Sequence, residues 1–123
     1  MTTVSVRYIV NSVEVAIEFY RDRLGFEVVM HPAPGFAALS LGDLKLLLNQ
    51  PGAGGAGTAG GSPQPGGWNR IQLAVEDLDA TVAELREMGA TFRGGAVEGA
   101  GGRQILVEDP SGNPIELFQP NAS

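Results

Sequence analysis

An internal repeat limits the folds open to this chain more than any other feature of its sequence. The segment that starts at Val4 aligns with the segment that starts at Asn69 at a constant shift of 65 residues. Alternate apolar residues match in both segments, as they do in strands with one buried face. The matched pairs are Val6 with Ile71, Tyr8 with Leu73 and Val10 with Val75. Each half of the chain is therefore predicted to open with a β-strand.

The repeat continues into a helix in each half. Apolar residues recur there at the i, i+4, i+7 spacing of one helical face, again at the same shift. The matched pairs are Val13 with Leu78, Ile17 with Val82 and Tyr20 with Leu85. Asn11 or Ser12 is expected to cap the first helix and Asp77 the second, and Gly25 and Gly89 are expected to end them.

Three β-forming runs follow each helix, so the order of elements is βαβββ in both halves. The predicted fold class is α+β, with two repeated βαβββ modules that form a curved mixed sheet around a cleft. A length of 123 residues suits a single domain, 1–123. Within it, module 1 is expected at 4–49, a Gly/Pro-rich linker at 50–67 and module 2 at 68–120.

The linker contains Gly52, Gly54 and Gly57 in the spacing G-x-G-x-x-G of dinucleotide-binding loops. In such a loop the third glycine leads into a helix whose N-terminus holds the pyrophosphate. Here the residues after Gly57 read TAGGSPQPGGW, and their prolines and glycines prevent a helix from starting. The match is therefore attributed to composition. The segment is predicted to be a flexible linker, and whether it orders over a bound ligand is left open.

Composition excludes several partners and chemistries. Fourteen acidic against eight basic residues give a net charge of −6, which disfavours nucleic acid as a partner. The absence of cysteine removes disulfides, thiolate nucleophiles and Cys-ligated metals, and the single histidine, His31, cannot form a metal site alone. No apolar run is long enough to cross a membrane, and the N-terminus carries no export signal, so a cytoplasmic location is expected.

Two longer motifs stand out, EFYRDRLGF at the end of the first predicted helix and EDPSGNPIELFQ near the end of the chain. Together with the repeated βαβββ order, they resemble the vicinal oxygen chelate superfamily, which includes glyoxalase I, extradiol dioxygenases and bleomycin resistance proteins. The resemblance covers nearly the whole chain. In the metalloenzymes of that family, one side chain from each of four strands holds a divalent metal. Carried over by motif, those positions fall on Ser5, Leu47, Arg70 and Glu116.

Only Glu116 among these four positions is suited to bind a metal, because Leu47 has no lone pair and Arg70 would repel a cation. No metal and no other cofactor is therefore expected, which disfavours glyoxalase and dioxygenase chemistry. Metal-free members of the superfamily include drug-sequestering proteins, typically dimers that hold flat natural products. The resemblance thus implies a homodimer that binds a hydrophobic, aromatic small molecule, as an antibiotic resistance protein does.

The candidate ligand-binding residues are those that strand alternation and the motifs direct towards the expected cleft. The aromatic and aliphatic ones would contact a flat ligand, and the polar ones would orient it. They are Arg7, Ile9, Phe36, Leu47, Trp68, Arg70, Gln72, Arg103, Gln104, Leu106, Glu116 and Phe118. Arg103 follows GAGG, and it either reaches the ligand from a flexible loop or is an ordinary solvated arginine.

Arg70 and Glu116 lie on related strands and are expected to face each other. A structural ion pair is one interpretation. The other is a metal-free isomerase, cyclase or lyase of natural-product metabolism, in which Glu116 is the catalytic base and Arg70 holds an anionic oxygen. A weaker alternative is a metal-dependent enzyme of the glyoxalase or dioxygenase type. The spacing of the residues leaves these alternatives open.

Overall fold

A computed structural model describes residues 4–53 and 61–122, and the chain divides between Gly66 and Gly67 into two compact units. The first unit contains β1 (Ser5–Ile9), α1 (Val13–Leu24), β2 (Glu27–Ala33), β3 (Phe36–Leu41) and β4 (Leu44–Asn49). The second unit contains β5 (Ile71–Ala74), α2 (Leu78–Glu87), β6 (Thr91–Glu98), β7 (Gly102–Glu108) and β8 (Pro114–Pro120). Both units have the βαβββ order that the repeat predicts.

Each unit forms its own four-stranded mixed sheet, and the two sheets have the same topology. The strand order is β1-β4-β3-β2 in the first and β5-β8-β7-β6 in the second. The first strand of each unit pairs in parallel with the last, and the other neighbours are antiparallel. A parallel pair needs a long crossover, which the intervening helix and strands supply. The predicted α+β fold of two βαβββ modules is confirmed.

The first helix begins and ends at residues with specific capping geometry. The Ser12 hydroxyl accepts a hydrogen bond from the Val15 amide at 3.3 Å, so Ser12 and not Asn11 is the N-cap of α1. At the other end Gly25 has a φ of 79°, in the left-handed region that glycine adopts without a steric penalty. The Phe26 amide then donates to the Tyr20 carbonyl at 3.0 Å and satisfies one of the last helical acceptors.

The second helix uses the same devices. The Asp77 carboxylate accepts a hydrogen bond from the Ala80 amide at 3.0 Å, and its charge also suits the positive end of the helix dipole. Met88 is the C-cap residue, and Gly89 follows it with a φ of 83°. The chain therefore turns out of α2 at the glycine that the sequence marks as its end.

The core of the first unit is built on the apolar face of α1, which contacts β2 and β4. Tyr20 is fully buried, and its ring meets the rings of Phe19 and Phe26 edge to face at centroid distances of 5.3 and 5.4 Å. Burial of a side chain of this size stabilises the fold by roughly 2–3 kcal/mol. Val4 continues the apolar alternation of Val6, Tyr8 and Val10 and would be expected on the helix side, but β1 begins only at Ser5 and Val4 is 73% exposed.

One edge strand of each sheet, β2 in the first and β6 in the second, pairs irregularly with its neighbour. In β2 the register against β3 shifts twice between Val28 and Ala33, and in β6 the register against β7 shifts between Arg93 and Val97. Such bulges bend a strand and interrupt its ladder, which discourages further strands from pairing at the edge. The shift in β6 begins directly after Arg93, which still pairs with Leu106 of β7.

Part of the predicted linker lies in the described segments. Gln50 donates a backbone hydrogen bond to the Gly35 carbonyl at 3.0 Å, so the segment leaves β4 against the turn between β2 and β3. Gly54 and Gly57 of the G-x-G-x-x-G match lie outside the described residues, as does the central part of the predicted linker. Among the helices of residues 4–53 and 61–122, none is long and apolar enough to cross a bilayer.

Candidate functional site

Most of the predicted site residues of the second module share one face of its sheet. Residues that pair across neighbouring strands lie side by side on the same face. One row of such partners crosses all four strands and consists of Arg93, Leu106, Glu116 and Gln72. The next row consists of Val97, Gln104, Phe118 and Ala74. We call the surface formed by these two rows the Glu116 face.

Glu116 is the most enclosed polar residue of this face, with a side chain only 10% exposed. Its Oε1 accepts two hydrogen bonds from Arg70, from Nε at 3.1 Å and from Nη2 at 3.0 Å. Its Oε2 accepts one from Gln72 Nε2 at 2.6 Å. Arg70 and Glu116 therefore contact each other, as the sequence suggests. Their expected placement on symmetry-related central strands is wrong, because Arg70 directly precedes β5, an edge strand that pairs with β8. Both carboxylate oxygens are engaged, which compensates for the removal of this charge from water.

Trp68 stands beside this network. The Trp68 carbonyl accepts a hydrogen bond from Arg70 Nη1 at 3.3 Å, so the same arginine that pairs with Glu116 also holds the backbone of the tryptophan. The Trp68 residue is nevertheless 69% exposed. One of its faces is covered by Arg93, whose guanidinium carbon lies 4.6 Å from the ring centroid. This geometry is a cation–π contact.

Arg93 is held by three hydrogen bonds from its three guanidinium nitrogens. Nε donates to Glu108 Oε2 at 2.7 Å, Nη1 to the Gly67 carbonyl at 2.6 Å and Nη2 to the Gly112 carbonyl at 2.7 Å. The partners come from the segment before β5, from β7 and from the turn before β8. The Arg93 side chain is 19% exposed. A planar guanidinium bound on three sides has little freedom, so the Trp68 ring rests on a fixed support.

The turn between β7 and β8 supplies one of these partners. Asp109 is buried, and its Oδ1 accepts from the backbone amides of Ser111 and Asn113 at 2.9 and 2.8 Å. Its Oδ2 accepts from Asn113 Nδ2 at 3.0 Å. Gly112 takes a φ of 87°, which lets the turn close. The EDPSGN segment thus builds a rigid turn that directs the Gly112 carbonyl at Arg93.

Arg103 lies apart from the other predicted site residues. The prediction that it belongs to a flexible loop is wrong, because it is the second residue of β7. It has the same parity as buried Ile105 and Val107, so it occupies the helix-facing side of the sheet, opposite Gln104 and Leu106. There it pairs with Asp79 of α2 at 3.1 Å, and this hydrogen bond raises the pKa of the Arg103 guanidinium.

In the first unit, the predicted residues also share one face of their own sheet. Arg7 pairs with Leu47, and both Ile9 and Phe36 pair with Asn49. Asn49 is fully buried, and its Nδ2 donates to the Ala53 carbonyl at 3.3 Å. Its Oδ1 finds no hydrogen-bond partner among the residues that the structure describes. Strand alternation places Asn49 on the same side of β4 as Leu47, but it was not among the candidate ligand-binding residues.

The pairing registers identify the positions carried over from the metalloenzymes. Arg7 faces Leu47 in the first parallel pair, and Gln72, which is its repeat counterpart, faces Glu116 in the second. Leu47 is therefore the structural counterpart of Glu116, and the position in the first sheet holds no metal ligand. Within residues 4–53 and 61–122, no three His, Asp or Glu side chains cluster closely enough to hold a metal ion.

The sequence matches the family model of the Glyoxalase/Bleomycin resistance protein/Dioxygenase superfamily over residues 3–117. The chain belongs to this superfamily. The expected resemblance is thereby confirmed, and it extends across both βαβββ modules. Comparison with curated proteins gave no match to the chain.

Solved structures of superfamily members are similar over almost the whole chain. A member from Sphaerobacter thermophilus DSM 20745 is 28% identical with a TM-score of 0.76, and the match covers 97% of both chains. TnmS3, an antibiotic binding protein from Streptomyces sp. CB03234, is 27% identical with a TM-score of 0.75, covering 98% of this chain and 97% of that one. A lactoylglutathione lyase from Agrobacterium tumefaciens has a TM-score of 0.74 over 96% and 92% of the two chains. It is only 18% identical, so it shows the shared fold alone.

Three residues that shape the site were not predicted as site residues, namely Arg93, Glu108 and Asp109. Arg93 precedes two glycines in TFRGGAVE, and this Gly-Gly pair inside a strand pattern is a signal of a bulge. The Gly-Gly pair marks the bulge. It does not indicate the contacts of Arg93 with Gly67 and Gly112, because these two residues contribute only their backbone carbonyls. Sequence patterns carry no information on which carbonyl a distant arginine reaches.

Proposed function

We propose that this protein binds and sequesters a hydrophobic aromatic small molecule without a metal. The observation that carries the proposal is Trp68, the single tryptophan of the chain, which is 69% exposed and yet held in place by Arg93 and Arg70. Exposed aromatic rings that are fixed in orientation are typical of binding surfaces, because little entropy is lost when a ligand stacks on them. Leu106 and Phe118 of the Glu116 face add apolar area beside polar groups that can orient a ligand.

The similarity to TnmS3 supports the same proposal. TnmS3 is described as an antibiotic binding protein, and it is 27% identical to this chain over nearly its full length. Antibiotic sequestration is therefore the form of ligand binding that we propose, with resistance as its consequence. We also propose a homodimer, as the superfamily resemblance implies, and sedimentation of the purified protein at two concentrations tests it.

The contacts of Glu116 favour binding over acid–base catalysis. Three of the about four lone-pair positions of the Glu116 carboxylate accept hydrogen bonds from Arg70 and Gln72, which leaves little of it for a general base to use. Here Oε1 is shared by two nitrogens of Arg70 and Oε2 accepts a 2.6 Å hydrogen bond from Gln72. Glu116 is thus used to position Arg70 and Gln72, and the proposed enzyme activity of an isomerase, cyclase or lyase has no observation of its own in its favour.

A screen of flat aromatic antibiotics by thermal unfolding tests the proposal. A ligand that binds only the folded protein raises the melting temperature in proportion to the logarithm of its concentration. A positive compound is then titrated while the fluorescence of Trp68 is recorded, and is recovered afterwards for mass analysis. We expect quenching and an unchanged compound. A compound that is chemically converted, with conversion lost in Glu116→Gln, would replace sequestration with catalysis.

A further inference from the structure

We infer that Arg93 is a positioning residue that presents only one face of Trp68 to a ligand, and that the site therefore selects neutral or anionic planar aromatics over cationic ones. The part of this inference that concerns the ligand rests on the proposed function. The part that concerns Arg93 and Trp68 rests on contacts within the second unit alone and is testable without any ligand.

The support for Trp68 comes from three separate segments. The Arg93 guanidinium donates hydrogen bonds to the Glu108 carboxylate of β7 at 2.7 Å, to the Gly67 carbonyl at 2.6 Å and to the Gly112 carbonyl at 2.7 Å. Gly67 is the residue directly before Trp68. Arg93 therefore fixes both the backbone on which the tryptophan enters the module and the plane on which its ring lies, at 4.6 Å from the ring centroid.

Gly67 reaches Arg93 through a backbone conformation that favours glycine. Gly66 and Gly67 have φ values of 104° and 87° in succession. Other residues adopt such angles with strain, and two in a row turn the chain sharply. The last two glycines of the predicted linker therefore serve to direct a carbonyl at Arg93, which gives this part of the Gly/Pro-rich segment a structural role that its composition alone did not indicate.

The electrostatics of the ring then determine which ligands suit it. Both faces of an indole ring carry partial negative charge and attract cations. Arg93 already occupies one face and withdraws electron density towards itself, so the opposite face is a weaker site for a second cation. Stacking on a neutral or electron-rich ring does not depend on that charge and is retained.

The neighbouring charges do not reverse this preference. Each arginine beside Trp68 has one carboxylate partner, Arg70 with Glu116 and Arg93 with Glu108. The Glu116 side chain is only 10% exposed, and both of its oxygens already accept hydrogen bonds. The two pairs are therefore neutral as a group, and they add no net negative charge beside the ring.

The first test uses Trp68 as its own reporter in the absence of ligand. We compare quenching of its fluorescence by iodide and by caesium ions, together with its anisotropy, in the wild type and in Arg93→Met. Because the cation beside the ring is removed, the ratio of iodide to caesium quenching should fall by about two-fold or more, and the anisotropy should also fall. Arg103→Met is the matched control, since it removes a paired arginine from the opposite side of the same sheet.

If Arg93→Met fails to fold by far-UV circular dichroism, Arg93→Lys replaces it. Lysine keeps the charge but loses the planar fork, so the anisotropy should fall while the quenching ratio is retained. A folded Arg93 variant in which neither quantity differs from the wild type would overturn the role of Arg93. A change of equal size in Arg103→Met would do the same.

The second test uses three anthracenes that carry a hydroxymethyl, a carboxylate or an aminomethyl group on the central ring. They share one planar ring system and differ in charge. We expect the wild type to bind the neutral or the anionic probe about ten-fold more tightly than the cationic one, and Arg93→Met to reduce that ratio to about three-fold or less. Equal or tighter binding of the cationic probe by the wild type would overturn the inferred selectivity.

The two tests separate failure of the inference from failure of the proposed function. If none of the three anthracenes binds, the proposed aromatic ligand and its selectivity are both contradicted, whereas the fluorescence of Trp68 still decides the role of Arg93. If the anthracenes bind without regard to charge, the proposed function stands and the inference about selectivity falls.

Discussion

Arg70 donates two hydrogen bonds to a single oxygen of Glu116, from Nε at 3.1 Å and from Nη2 at 3.0 Å. The Glu116 side chain is 10% exposed and the Arg70 side chain 29% exposed, so the pair lies between a surface salt bridge and a buried one. Loss of one partner from a buried pair is costly, because the other charge stays out of water without compensation. Arg70→Met should therefore destabilise the protein by about 1–3 kcal/mol at neutral pH, measured by urea unfolding.

The double variant Arg70→Met with Glu116→Gln is the control for this explanation. It removes the stranded charge and leaves a neutral amide that Gln72 can still contact. We expect it to be more stable than Arg70→Met alone, since replacing both charged partners is often close to neutral. A double variant that is less stable than Arg70→Met would show that packing of the arginine stem, and not the charge of Glu116, dominates.

The fold could be predicted from the sequence because its strongest signals are local and repeated. Apolar alternation before Asn11, its match after Asn69 and the glycines that end the helices each determine an element without knowledge of the rest. The repeat then joins the elements into modules. The boundary of β1 does not follow from this pattern, since Val4 continues the apolar alternation and yet lies outside the strand. Apolar alternation alone does not show at which residue the hydrogen-bonded pairing of a strand with its neighbour begins.

The site could be predicted only in part. Strand parity correctly grouped Gln72, Gln104, Leu106 and Glu116, because parity is a local property that pairing preserves. It did not group Arg103, whose position in a glycine-rich segment suggested a loop, while β7 in fact begins at Gly102. Arg93 was missed because its contacts join segments far apart in the chain. Long-range contacts of this kind follow from packing and not from any periodicity of the sequence.

The carried-over metal positions predict that divalent metals bind weakly. Leu47 and Arg70 offer no ligand, and both oxygens of Glu116 already accept hydrogen bonds from Arg70 and Gln72. A tight metal at 100 times its Kd would stabilise the folded state by about 2.7 kcal/mol. We therefore expect Zn²⁺, Ni²⁺ and Mn²⁺ to leave the melting temperature unchanged. Elemental analysis that finds a stoichiometric metal in protein purified without chelators would contradict this expectation.

Trp68 should matter for binding and little for stability. Trp68 is 69% exposed, and a cation–π contact such as the one with Arg93 is worth about 0.5–1 kcal/mol at an exposed site. We expect Trp68→Leu to change the free energy of unfolding by no more than about 1 kcal/mol, and to weaken an aromatic ligand by about ten-fold or more. Trp68→Leu removes the single tryptophan of the chain, so its affinity is measured by calorimetric titration and not by fluorescence. Phe92→Leu serves as the control, because Phe92 is an aromatic residue of β6 that contacts Arg86 of α2 and not Trp68. Comparable losses of affinity in both variants would point to a general loss of structure.

Asp109 connects the stability of a turn to the position of Trp68. Its Oδ1 accepts hydrogen bonds from the amides of Ser111 and Asn113, and the turn directs the Gly112 carbonyl at Arg93. Asp109→Ala leaves those amides without an acceptor and should lower the free energy of unfolding by about 2–4 kcal/mol, whereas Asp109→Asn keeps one acceptor oxygen and should lower it by about half as much.

The alanine variant should also lower the fluorescence anisotropy of Trp68, because Arg93 loses a fixed partner. Urea unfolding and anisotropy in both variants measure the two effects, and a destabilised alanine variant with wild-type anisotropy would mean that the turn does not support the tryptophan.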